Sequence, residues 1–427
     1  MAQTPALVTP PPPPPTPPPT PPTVTAPPLS IASASQLALQ QASAYQQAVI
    51  DEQIAELEVT QARAAIFPKI RSTSTVMFNK PLARASSDPS FIAQNASREY
   101  QSLVGAEGTF DFGLRAAMRR SRELLAAAKA GTEIARRELV RGVREAYFGM
   151  ALATAKRRSA EEALAAAQEF ERVTALQHEG GEVPEVDAIR ARLQTAQRRD
   201  DLEQAVVQET ISAAAMRILV GYKPADSFSV LDLSPTPSSA DIETFTFAST
   251  AGRPEIVQAS AQERAARADV GVARAERLPS LTYSADEGFD SPTLHDIHQH
   301  TGYLLSANLR IPIFDWGVSR AHERQAELRA DQAANLLTLA RRDAEQQYLR
   351  AREEALASVR RADNARTAVA DARRNVDISI ARYRAGEAPI VEVTDALTTL
   401  AQLRTALQQA LFDFEVARAQ LQEAAGQ

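Results

Sequence analysis

Glu392 and Asp395 stand three residues apart in Ile390-Val391-Glu392-Val393-Thr394-Asp395-Ala396, on a segment that reads as helix, so the two acids share one face. Like charges held close favour a bound cation, although two solvated surface acids would carry the same letters. A second group, His295, His298 and His300 with Asp296 alongside, falls within six residues. Three imidazoles so near could ligate zinc or copper. An exposed polar loop explains them as well, and no metal or cofactor is expected. His178 and His322 stand alone on helical surfaces. There is no Gly-rich phosphate loop ending in Lys-Ser/Thr, no H-E-x-x-H and no G-x-S-x-G, so an enzyme is not expected. Zero cysteines among 427 residues remove disulfides, thiolate metal sites, a thiol nucleophile and a lipid-modified N-terminal Cys.

Composition narrows the elements that could position these groups. Lys and Arg number 47 against 53 Asp and Glu, a net charge of −6, with no basic stripe interleaved with aromatics, which argues against nucleic acid. No run approaches the 18 apolar residues of a transmembrane helix, so a membrane role would have to use strands. Few glycines, few aromatics and abundant Ala, Arg, Glu and Gln point to long helices. The first 30 residues stand apart, holding 14 of the 26 prolines. At about 3.1 Å per residue the stretch from Pro10 to Pro22 would span roughly 40 Å as polyproline II, and a disordered leader is the equal alternative. No charged region followed by an apolar run marks a secretory signal, and Ala2-Gln3-Thr4-Pro5 resembles what remains after cleavage at a small residue.

Beyond the leader, landmarks occur twice. Arg63-Ala64-Ala65-Ile66-Phe67-Pro68 returns as Arg274-Ala275-Glu276-Arg277-Leu278-Pro279, an offset of 211. Phe110-Asp111-Phe112-Gly113 returns as Phe314-Asp315-Trp316-Gly317 after 204, and Gly181-Glu182-Val183-Pro184 as Gly386-Glu387-Ala388-Pro389 after 205. The chain therefore divides into a leader (1–30), a first repeat (31–220), a connection (221–252) and a second repeat (253–427). Each repeat reads as a helix ending at its proline, two strands, a very long helix, a tight turn and a shorter helix. Residues 305–313 alternate strictly, with Leu305, Ala307, Leu309, Ile311 and Ile313 apolar, as a tilted membrane strand or a half-buried soluble strand would. Segments 70–78, 281–289 and one ending at Phe110 are weaker strands. No proline interrupts 114–177 or 318–384, so each long helix is about 100 Å at 1.5 Å per residue. Tyr348, Ala355, Ala362, Val369, Val376 and Tyr383 recur every seven residues as in a coiled coil. The shorter helices, 33–67 and 184–219, stacked end to end could lie beside one long helix. Four membrane strands cannot close and bare edges are not tolerated in lipid, so the chain must oligomerise; three copies supply twelve strands, an even number in the allowed range.

This plan resembles the TolC family of outer-membrane efflux channels over residues 31–425. The acidic-aliphatic pattern from Ile390 to Ala396, the Arg253-Pro254-Glu255 opening of the second repeat and Leu278-Pro279 carry the resemblance. It implies a homotrimer: a twelve-stranded outer-membrane β-barrel in lipid, four strands per chain, continued by a twelve-helix periplasmic coiled-coil tunnel. The implied function is a passive exit duct engaged by a periplasmic adaptor and an inner-membrane transporter. Glu392 and Asp395 would then form two stacked carboxylate rings at a pore constriction. Asp187 and Tyr383 match positions that hold the inner hairpin shut. The family's best-known member has an Arg where this chain has Ala388, so Arg382, Arg384 or Arg190 must substitute or the closed state is weaker. Gly181, Glu182, Val183, Gly386, Glu387 and Ala388 lie in the turns that dock the adaptor. A channel devoted to metal export is a variant hinted at only by the histidines. The competing class, a soluble coiled-coil scaffold or a periplasmic adaptor, explains the heptads but not two strand pairs placed between a short and a long helix.

Overall fold

A computed structural model describes residues 29–78, 98–223, 226, 228–233, 236–246 and 252–426. The polyproline reading of the leader lies outside the described residues. In chain order the elements are α1 (Ile31–Leu39), α2 (Ala44–Ala64), β1 (Lys69–Phe78), β2 (Arg98–Phe110), α3 (Gly113–Glu179), α4 (Glu185–Val220), α5 (Ser239–Glu243), α6 (Pro254–Ala275), β3 (Ser280–Ser291), β4 (Thr301–Arg310), α7 (Val318–Arg384) and α8 (Ile390–Ala424). Twice, then, a short helix leads into two strands, a 67-residue helix and a helix of about half that length.

Three expectations need correction. The helix expected over 33–67 is two helices, because Ser43 caps a fresh start by accepting from the Gln46 amide while the Gln46 side chain donates to Leu39 O at 2.7 Å. Neither α2 nor α6 reaches its proline: each ends four residues earlier, at Ala64 and Ala275. The proline disfavours helical backbone at the residue before it, and the chain leaves each helix through tighter turns in which Phe67 N donates to Ala64 O at 3.0 Å and Leu278 N to Ala275 O at 2.9 Å. Strand β4 is shifted to Thr301–Arg310, and 311–314 continue the alternation without a strand partner in the chain.

The strands form one antiparallel sheet in the order β1-β2-β3-β4, with β1 and β4 as open edges. The register sorts the side chains into two faces. One carries Ile70, Val76, Phe78, Tyr100, Val104, Ala106, Phe110, Leu281, Tyr283, Ala285, Phe289, Tyr303, Leu305, Ala307 and Leu309, with Arg98 and Glu287 as its charged exceptions. The other carries Lys69, Arg71, Glu99, Gln101, Glu107, Ser284, Asp286, Asp290, Ser306, Asn308 and Arg310, with Met77, Leu103 and Leu304 as its apolar exceptions. On the polar face Arg71 bridges Glu107 at 3.1 Å and Asp286 at 3.5 Å across three strands. This crossing is open because Gly105 lies between: a Cβ there would meet Asp286 Oδ1 at 2.0 Å.

Helices pack as the heptads require. On α7 the repeat Tyr348, Ala355, Ala362, Val369, Val376 and Tyr383 turns inward, and the other seam position is small throughout: Ala344, Ala351, Ser358, Ala365, Ala372 and Ser379. On α8 the large residues follow the same seven-residue step, Val393, Leu400, Leu407, Phe414 and Leu421. Large against small lets the two helices approach closely, and a seven-residue repeat winds them left-handed. Helix α3 lies against α2 and α4, and α7 against α6 and α8, so the shorter helices do line up beside the long ones. Midway along the bundle the connection packs on both long helices. Tyr147 Oη accepts from Leu231 N at 2.8 Å and Tyr348 Oη donates to Phe245 O at 3.0 Å.

Candidate functional site

The two hairpins, α3 with α4 and α7 with α8, end in turns of the same form. Gly181 (φ 72°) and Gly386 (φ 74°) take the left-handed conformation that reverses a helix. Glu182 N donates to Gln177 O at 2.8 Å and Glu387 N to Arg382 O at 2.9 Å, the closing bond of a Schellman end in each case. Pro184 and Pro389 then start the return helices in extended backbone. Gly181, Glu182, Gly386 and Glu387 are exposed and Val183 half-buried, but Ala388 is buried and offers no surface.

Behind the turns the hairpins meet. Tyr383 Oη donates to Asp187 Oδ2 at 3.2 Å, joining α7 to α4. The tyrosine ring is buried edge-on against Phe170, at 5.7 Å between centroids, in a cluster with Ala191, Ile390 and Val393. Burial, followed by the charge of Asp187 and the hydrogen bond to it, pushes the phenol up to about 12, so it stays protonated and donating. Phe170 escaped the sequence reading; its signal was that it is the sole aromatic between Phe148 and the Gly180-Gly181 turn.

Further polar links run along the seam: Gln194 Nε2 to Thr398 Oγ1 at 3.1 Å, Lys156 Nζ to Gln409 Oε1 at 3.0 Å, Arg404 to Glu162 at 3.0 Å and Arg144 to Gln422 at 3.0 Å. A cavity of about 590 Å³ opens there, lined by Ala153, Ala160, Ala163, Ala205 and Ala401 with Lys156 and Arg198. Small side chains and exchangeable polar contacts hold the hairpins together here, and the α3-α4 seam beside them carries the Arg157 to Glu209 pair at 2.6 Å, whereas the α7-α8 seam is apolar.

The expected carboxylate pair is not symmetric. Glu392 lies in the first turn of α8, where the helix dipole favours an acid, and Arg382 Nη1 meets its Oε1 at 2.5 Å. Asp395, one turn on, is exposed and has no ion-pair or hydrogen-bond partner among the described residues. Of the three arginines considered as substitutes at Ala388, none forms an ion pair with Asp187; Arg382 holds Glu392 instead. His295, His298 and His300 sit in the β3-β4 loop, with His300 Nδ1 3.0 Å from Asp296 O. Among the described residues no group of three or more His, Asp or Glu is placed to hold a metal ion. Among the described residues no helix is long and apolar enough to cross a membrane.

A two-faced sheet with open edges, joined to helical hairpins of this length, defines a membrane β-protein with a long helical extension. The comparisons agree. A family model described as outer membrane efflux protein matches residues 34–222 and 248–427. The pyoverdine export outer membrane protein OpmQ of Pseudomonas aeruginosa is 28% identical over 346 residues, 76% of this chain and 69% of its own length. Among solved structures, the outer membrane protein VceC of Vibrio cholerae superposes with a TM-score of 0.80 at 20% identity, over 93% of this chain and 96% of that one. The Campylobacter jejuni CmeC outer membrane channel does so with a TM-score of 0.79 at 20% identity, over 93% and 85%. The chain belongs to the outer membrane efflux protein family, so the resemblance read from its residues holds. It is an efflux channel protein of the outer membrane with a periplasmic portion, and the scaffold and adaptor alternatives fall.

Proposed function

We propose that three copies assemble into a twelve-stranded barrel continued by a periplasmic tunnel, and that the assembly is a passive exit duct for an inner-membrane transporter and its periplasmic adaptor. The observation that carries this is the sheet: four strands with one apolar face, one charged face and two unpaired edges. Bare strand edges in hydrocarbon cost several kcal/mol per unsatisfied group, so β4 of one copy must pair with β1 of the next. That closure turns the charged face inward and the apolar face to lipid.

Within the duct, the Tyr383 to Asp187 bond is the closed-state latch between hairpins, and Glu392 with Asp395 marks the constriction. The exposed turn residues Gly181, Glu182, Gly386 and Glu387, with half-buried Val183, are the adaptor's docking surface, from which buried Ala388 drops out. Efflux needs no catalytic group, and none is assigned. The test is the symmetry of the detergent-purified protein in negative-stain images with mass analysis. A threefold particle is expected; a monomer or dimer without a detergent belt would overturn the proposal. Pyoverdine, named for the Pseudomonas relative, is the first cargo to assay in cells.

A further inference from the structure

Resting on the reading of the α7-α8 turn as the duct's entrance, we propose that Arg382 sets the charge selectivity of that entrance. It neutralises Glu392 within its own chain and leaves Asp395 as the carboxylate that meets passing ions.

The geometry separates the two acids. Arg382 closes α7 and Glu392 opens α8, and their side chains meet across a turn whose backbone is anchored on both sides. Arg382 O accepts from Glu387 N at 2.9 Å, Tyr383 O from Gly386 N at 3.0 Å, and Pro389 O from Glu392 N at 3.1 Å. The pair therefore spans ten residues of one hairpin and does not cross between hairpins. Tyr383 to Asp187, by contrast, joins α7 to α4 and parts when the hairpins separate. The charge pair is accordingly unaffected by opening, and selectivity is the same in the closed and the open entrance.

Neutralisation changes what a cation meets. An arginine and a carboxylate in contact present only a dipole to an ion several ångströms away, whereas an unpaired carboxylate presents a full charge. Asp395 lies three residues further into α8, about 4.5 Å along the helix axis, with no arginine or lysine in contact. Under threefold symmetry the entrance carries one effective ring of negative charge rather than two. It opposes an anionic cargo correspondingly less.

The experiment is block of single-channel current by lanthanum(III), added on the helical side of the protein in planar bilayers. Asp395→Asn is expected to lose block and Glu392→Gln to change it little. Arg382→Gln, which frees Glu392, should tighten block about tenfold, and Arg382→Lys should keep wild-type block. The same order is expected in a Tyr383→Phe background. Block in Arg382→Gln equal to wild type, or lost as fully in Glu392→Gln as in Asp395→Asn, overturns the proposal while leaving the entrance where it was placed. Identical block in all these variants removes the entrance reading and the proposal together.

Discussion

Tyr383 combines three properties that a reversible latch needs: a buried ring, a single donor and a charged acceptor 3.2 Å away. A hydrogen bond to a charged group contributes about 1.5 to 3 kcal/mol. Tyr383→Phe keeps the edge contact with Phe170 and removes only the hydroxyl, so it should raise the open-to-closed ratio about tenfold to a hundredfold in single-channel recordings. The same group predicts a pH response. A phenol raised from 10.0 to about 12 contributes its stabilisation fully below pH 10.0 and loses it as pH rises through about 12. Open probability of the wild type should therefore show no tyrosine-linked change between about pH 7 and about pH 9. A rise over that range that Tyr383→Phe abolishes would mean that the phenol is not held as described.

The α7-α8 seam draws its rigidity from Phe414, which is wholly buried with Tyr348, Ala355, Val359 and Leu421 around it. Phe414→Ala leaves a cavity that small neighbours on α7 cannot fill, and a loss of about 3 to 5 kcal/mol is expected in thermal unfolding followed by helical circular dichroism. At the other end of the long helices the Phe-Asp-aromatic-Gly turns present Phe110, Phe112, Phe314 and Trp316, with Trp316 88% exposed and in the left-handed region at φ 56°. Asp111 and Asp315 hold these turns by accepting from Gly113 N at 2.6 Å and Gly317 N at 3.1 Å. Such strain persists where the surroundings require it, and aromatic side chains suit the level of lipid headgroups. Trp316 is the only tryptophan of the chain, so its fluorescence should be quenched by bromines placed near the headgroups of reconstituted lipids more than by bromines near the bilayer centre. Equal protection from both would place the ring against a neighbouring copy.

Across the whole molecule, length and closure dominate. Two 67-residue helices of about 100 Å each, followed by a barrel of about one membrane thickness, give a particle of roughly 140 Å. Images should show the detergent belt at one end only. A belt at the middle, or a length near 70 Å, would mean that the hairpins fold back along the sheet. The asymmetry of the packing bears on function as well. The α7-α8 hairpin is closed by apolar heptads, whereas between the apolar clusters around Tyr147 and Tyr383 the two hairpins face one another through Gln194, Lys156, Arg404 and a cavity. Over that polar stretch, sliding one hairpin past the other exchanges polar contacts for water at modest net cost, whereas unzipping the α7-α8 seam would expose Phe414 and Leu421.

Local rules were enough for much of this. The landmarks at offsets of 204 to 211, the proline-free runs and the seven-residue step of α7 located both long helices and both turns to within a residue or two, because each is written in residues close in sequence. The pairing of Tyr383 with Asp187 was reached through family likeness, since nothing local links positions 196 apart. What only the tertiary structure decided depends on neighbours distant in the chain. The shift of β4 and the burial of Ala388 follow from packing that no window of sequence contains, whereas the break at Ser43 is a local cap. The same holds for Arg382. Three arginines stood within reach of the turn, and their letters are equivalent. Which of them meets which acid is set by how two helices leave one glycine, and that angle is a property of the folded hairpin.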